Sequence, residues 1–190
     1  MAVRRVSGRR RNGYDGAVRR DDGRWAARGR PPARGMIEMA LQPWPLVRRG
    51  DKAHPVPSLQ YHLRARGHIV VVDGDFGPKT EAAVRAFQQE KSLGVDGIVG
   101  PLTWRALVLT VRYGDQGDAV RSVQEEFQYR NLSGDPGKGP VVDGIFGPKT
   151  ETAVRSWQQL IHDNDEPAMA VDGIVGPMTW QSLISGMYSF

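Results

Sequence analysis

The stretch VDGDFGPKT at Val72–Thr80 recurs as VDGIVGPLT at Val95–Thr103, VDGIFGPKT at Val142–Thr150 and VDGIVGPMT at Val171–Thr179. Aspartate, glycines and a Gly-Pro-Lys-Thr ending are the raw materials of a phosphate loop or a calcium loop, so both chemistries can be tested on spacing. A Walker-type loop places Gly, Lys and Ser/Thr in direct succession, and here Pro78 separates Gly77 from Lys79 and removes an N–H that would hold phosphate. A calcium loop begun at Asp73 puts Pro78 at its sixth position and Val84 at its twelfth, where Gly and Glu are required. HDNDEP, begun at Asp163, fails in the same way, with Ala168 and Ile174 at those places.

Catalysis finds little to work with. His54, His62, His68 and His162 form no HExxH pair or other metal spacing and read as isolated surface histidines. No GxSxG elbow occurs, and the chain has no cysteine, which excludes a thiol nucleophile, a thiolate zinc site and a disulfide scaffold. The expectation is a protein that is not an enzyme and needs no metal or cofactor.

The motif reads instead as a device for entering a helix. Asp73 can accept hydrogen bonds from N–H groups further on, Gly74 permits positive φ, Gly77 suits the N-cap, and Pro78 at N1 sacrifices no helical bond. In the DGIVGP copies, Val99 and Val175 stand five residues before Trp104 and Trp180, the spacing of a hydrophobic staple. Glu81 and Glu151 suit the positive ends of the helices so begun.

Beyond residue 40 the chain consists of one module written twice. VRRGD at Val47–Asp51 returns as VRYGD at Val111–Asp115, and both turn motifs follow in order in each copy. The second copy has extra residues around Asn131–Pro140 and His162–Ala170, both rich in turn formers and charge, which predicts surface loops. Each module reads as three helices. The first carries the apolar stripe Val56, Leu59, Leu63, or Val120, Val123, Phe127. The second carries Val84 and Phe87, or Val154, Trp157 and Ile161; the third carries Trp104, Leu107 and Val108, or Trp180, Leu183 and Ile184. The fold class is therefore all-α: two tandem three-helix modules, at 44–110 and 111–190, behind a basic segment at 1–40. The very short join between them predicts a restricted mutual orientation. The second module has DAVR where the first has HPVP (His54–Pro57), making Asp118 an N-cap candidate without a counterpart.

The net charge of +5 divides unevenly, since residues 1–35 hold eleven Arg against three Asp and the remainder is mildly acidic. The N-terminal stretch lacks spaced apolar residues and is expected to be disordered. Met36 opens better-patterned sequence, which keeps an over-extended start as an alternative. Nucleic acid or another polyanion would find its partner only in this segment. Neither a secretory signal nor a membrane span is recognisable, because no long apolar run occurs.

The motifs VRRGDKAHPVPSLQYHLRARG, VDGDFGPKTEAAVRAFQ and VDGIVGPLTWRAL, with VRYGDQGDAVRSVQEEFQ, VDGIFGPKTETAVRSWQQ and VDGIVGPMTWQSL, resemble the bacterial peptidoglycan-binding domain that accompanies cell-wall amidases, lysozymes and carboxypeptidases. The resemblance covers roughly residues 44–186. It implies a three-helix module that binds wall polymer and acts at the cell wall, with peptidoglycan as partner and a wall hydrolase as a further one. An alternative use is as an assembly or targeting part of a phage-tail-like particle or phage lysis system. On this resemblance the groove beside the first turn is the expected contact surface, with Asp73, Phe76, Lys79 and Arg85 in one module and Asp143, Phe146, Lys149 and Arg155 in the other. Phe76 and Phe146 have a competing role in the core, and the four basic residues could equally form a solvated helix face.

Overall fold

Four of the six helices among the described residues begin the way the Gly-Pro pairs dictate. The computed structural model describes residues 17–19, 25–27, 41–131, 137, 139–164 and 166–186. In it, α2 (Pro78–Glu90), α3 (Pro101–Leu107), α5 (Pro148–Asn164) and α6 (Pro177–Ile184) each start on the proline. The preceding glycine carbonyl accepts the first helical bond, as in Glu81 N–H to Gly77 O at 3.0 Å and Glu151 N–H to Gly147 O at 3.0 Å. Each module is headed by a helix lacking this signal, α1 (Val56–Ala65) and α4 (Asp118–Tyr129).

The modules obey one plan. The segment before the first helix pairs with the second turn through Val47 and Val99 in one module and Val111 and Val175 in the other. It also meets the first turn, through Lys52 and Asp75 or Gln116 and Ile145. The staple tryptophans are fully buried, and their indole N–H groups donate to equivalent carbonyls, Trp104 to Pro45 at 2.9 Å and Trp180 to Leu109 at 2.7 Å.

α1 packs directly on α4, so the restricted orientation expected from the short join takes the form of one continuous core that includes Leu59, Leu63, Val120, Val123, Phe87, Trp104, Trp180 and Leu183. Burying each such aliphatic or Phe side chain stabilises the unit by about 1.5–3 kcal/mol relative to exposure. Polar groups also cross the boundary. Glu126, with no exposed side-chain surface, accepts from Ser58, faces His54 Nε2 at 3.1 Å and pairs with Arg130. Arg130 in turn donates to the Leu183 carbonyl and lies 5.0 Å from the centre of the Trp157 ring. Burial alone would push the Glu126 carboxyl up, but its hydrogen bond and charge contact with His54, then Arg130 and Ser58, hold it below the usual range.

Three expectations need correction. Asp118 is not an N-cap: Gly117, at φ 111°, occupies that place, and the Asp118 carboxylate bonds Arg64 at 2.9 Å and Arg121 at 3.0 Å. The second insert is only partly loop, since α5 runs on through His162 to Asn164. Gln159–Asp163 and Asn164–Leu160 bonds, both 2.8 Å, hold that added turn, and Met169 folds back into the core. The histidines are not isolated at the surface. His62 is fully buried edge-on to Trp180, His54 stacks on Tyr129, His68 Nε2 lies 3.4 Å from Glu90, and His162 Nδ1 contacts the Met169 carbonyl.

Residues 1–38 cluster as a separate unit, of which β1 (Ala17–Arg19) and β2 (Trp25–Ala27) are described, an antiparallel pair with Val18 opposite Ala26. The expectation of a disordered tail otherwise falls outside the described residues, as does most of the first insert.

Candidate functional site

Each of the four turns is clamped by a buried glutamine from the helix before it. Gln60 of α1 donates to Asp73 Oδ1 at 2.7 Å and the Asp75 carbonyl at 3.1 Å, while its Oε1 accepts from Gly74 N–H at 2.9 Å. Gln88 of α2 grips Asp96, Ile98 and Gly97; Gln124 of α4 grips Asp143, Ile145 and Gly144; Gln158 of α5 grips Asp172, Ile174 and Gly173. The threonine that ends each motif lies 3.2–3.3 Å from the same amide nitrogen. One helix thus fixes the turn that launches the next.

The aspartate and glycine do what their chemistry suggests. Asp73, Asp96, Asp143 and Asp172 each accept from the N–H two residues on, at 2.8–2.9 Å. That backbone bond, followed by the glutamine amide, holds the Asp73, Asp96 and Asp143 carboxyls below their usual range. The turn glycines have φ between 71° and 79°, the left-handed region that a Cβ disfavours.

The eight expected contact residues separate into three groups. Phe76 and Phe146 are 0% and 1% exposed and point into the core, so they present no face to a ligand. Arg85 and Arg155 lie over the second turn of their module, away from the first. Each pairs with Glu81 or Glu151 one helical turn back, at 3.0 Å, and donates to the Val95 or Val171 carbonyl, at 2.8 and 3.1 Å. Asp73 and Lys79 do meet at the first turn, lining a hollow of about 380 Å3 with Val71, Asp75, Gly77 and Pro78. Asp143 and Lys149 occupy the matching exposed positions of the second module.

The residues the sequence reasoning passed over are the four glutamines and Arg121, which lies over Gly144 as Arg85 lies over Gly97. Their signal was present, since SLQ and SVQ, or FQQ and WQQ, fall at equivalent places of the repeat, with the glutamine on an otherwise apolar face. Among the described residues no three His, Asp or Glu side chains converge to hold a metal, and no helix is long and apolar enough to cross a membrane.

Two tandem three-helix modules, each built on two glutamine-clamped DG-GP turns, define a small all-α binding-domain class. The family model described as "Putative peptidoglycan binding domain" matches residues 53–107 and 116–183, and the chain belongs to that family. It is 34% identical over 164 residues to the N-acetylmuramoyl-L-alanine amidase CwlM of Mycobacterium tuberculosis, covering 72% of this chain and 37% of that protein. It is 32% identical over 110 residues to the zinc D-Ala-D-Ala carboxypeptidase of Streptomyces albus G, covering 57% of this chain and 38% of that enzyme. A peptidoglycan-binding protein from Clostridioides difficile, solved with glutamine hydroxamate, is 40% identical over 33% of this chain and 40% of its own, with a TM-score of 0.33. The chain spans well under half of the length of these two curated enzymes.

Proposed function

We propose that the protein is a non-catalytic peptidoglycan binder whose two modules engage the wall polymer together. The observation that carries this reading is the presence of two complete copies of the binding module in one body with a common core. The polar residues of the turns are engaged in the framework: the glutamines and aspartates hold the turns, and Arg85 and Arg155 brace them. Lys79 and Lys149 remain at the surface beside the first turns, suited to the carboxylates of a wall polymer. In this reading Asp73 and Asp143 shape the turns and the lysines touch the ligand.

Two weak contacts on one rigid body gain on a repetitive polymer, by roughly 10² or more when both sites are reached together. Retention on purified, DNA-free sacculi tests the reading. The parent protein is expected to be retained, Lys79→Ala and Lys149→Ala each to weaken retention, and the double variant to lose it, all with unchanged melting. Retention no better than that of an unrelated acidic protein refutes wall binding. Single variants that each weaken retention by no more than about twofold would refute cooperation between the modules.

A further inference from the structure

A groove of about 650 Å3 lies where the two modules meet, with Tyr61, Arg64 and Lys79 from the first and Asp118 and Arg121 from the second. One wall is the segment between α1 and the first turn, all four of whose residues 69–72 line the groove. Ile69 is 98% exposed, Val70 is buried and Val71 is 64% exposed. Alternation of this kind marks an extended chain. Among the described residues, none of the backbone N–H or C=O groups of 69–72 has a hydrogen-bond partner. The segment thus leaves its backbone groups unpaired and carries apolar side chains into solvent.

The matching segment of the second module cannot serve in the same way. Pro140 stands where Val70 does and has no N–H, its carbonyl already accepts from Gln128 at 2.8 Å, and Gly139 replaces Ile69. Among the lining residues three cations, Arg64, Arg121 and Lys79, stand against one carboxylate, Asp118, which holds both guanidinium groups in place at 2.9 and 3.0 Å; Glu125 lies close enough that, after burial, it also raises the Tyr61 phenol.

Resting on the reading that this chain binds peptidoglycan, we infer that the inter-module groove takes the stem peptide of the polymer, laid as an added strand along Ile69–Val72 with a carboxylate against Arg64 and Arg121. A peptide offers N–H and C=O groups at strand spacing and can pair with a free edge, whereas sugar hydroxyls have no such repeat. The excess of cations suits the free carboxylates of that peptide. Because Arg64 and Arg121 come from different modules, the site exists only in the assembled pair.

The test uses the isotope-labelled full chain and two probes from the same sacculi, the stem peptides released by an amidase and the peptide-free glycan strands. Stem peptides are expected to shift the amide resonances of 69–72 and the side-chain Nε signals of Arg64 and Arg121; glycan strands are expected to leave them unmoved. Ile69→Glu and Val71→Glu, at exposed positions, place a negative charge in the groove and are expected to weaken peptide binding by at least about tenfold with unchanged melting. Peptide-induced shifts confined to the first turns, shifts of 69–72 by glycan alone, or parental affinity in Ile69→Glu would each overturn the inference. If the chain is nevertheless retained on sacculi, wall binding stands and only the groove assignment falls; if it is not retained, both fall.

Discussion

Substituting Gln124 by leucine separates the role of the turn in the fold from any role in binding. The side chain is 1% exposed, and its amide donates to Asp143 Oδ1 at 2.8 Å and to the Ile145 carbonyl at 3.0 Å while accepting from Gly144 N–H at 2.8 Å. Leucine keeps nearly the same volume but offers no polar atom. Asp143 retains the Ile145 N–H, and the exposed Asp143 and Ile145 groups regain water; the buried Gly144 N–H does not. Losing the bonds costs about 1 kcal/mol, and leaving a buried donor dry costs about 1–3 kcal/mol more, so about 2–4 kcal/mol is expected. The unit runs from Met39 to Phe190. For that size each kcal/mol moves the melting temperature by about 2–4 °C, giving a fall of roughly 5–15 °C. Scanning calorimetry measures it, and Asp143→Ala, whose carboxylate is exposed, should fall by less. Sacculus retention of both variants, measured well below their transitions, should stay near that of the parent. Melting of Gln124→Leu within about 2 °C of the parent would refute the clamp. Normal melting of Asp143→Ala with lost retention would show that the aspartate is a contact residue.

Gly144→Ala should cost about 1 kcal/mol or more from its φ of 79°, with the Arg121 guanidinium, 2.9 Å from the added Cβ, having to move; calorimetry against the parent checks it. Glu126→Ala removes the acceptor of Ser58 and the partner of His54 and Arg130, and should destabilise by about 3–5 kcal/mol in denaturant unfolding; a loss below about 1 kcal/mol would contradict the pairing across the boundary. Burial lowers His62 from 6.5 to about 3, against the opposing charge of Glu126, so the unfolded chain takes up this proton first. Its contribution is therefore complete above pH 6.5 and is lost as the pH falls toward 3, with a limiting slope of about 1.4 kcal/mol per pH unit. The lowered Glu126 carboxyl contributes its own loss only below its ordinary value of 4.5. His62→Leu should accordingly flatten the stability profile between about pH 6.5 and 5, and an unchanged slope would show that His62 is not buried neutral.

Local rules carried the sequence reading a long way. Gly-Pro at N1, apolar stripes on six helices, staple spacing at Val99–Trp104 and Val175–Trp180 and the order of the turns all concern neighbours within a few residues, where steric and hydrogen-bonding preferences act directly. The same locality explains why Gly74 could be read as a residue that permits positive φ, the conformation it adopts at 71°. The glutamine clamps were harder to read because glutamine and aspartate stand 13, 8, 19 and 14 residues apart in the four turns, and no fixed spacing marks the pair. What α1 and α4 bury could be read from their stripes; what they bury it against could not, since an apolar face specifies only that water must leave. Tertiary packing alone decided that the two first helices cover one another, that His62 is sealed beneath Trp180, that Glu126 gathers partners from both modules, and that Arg64 and Arg121 meet over Asp118 at a groove neither module has by itself.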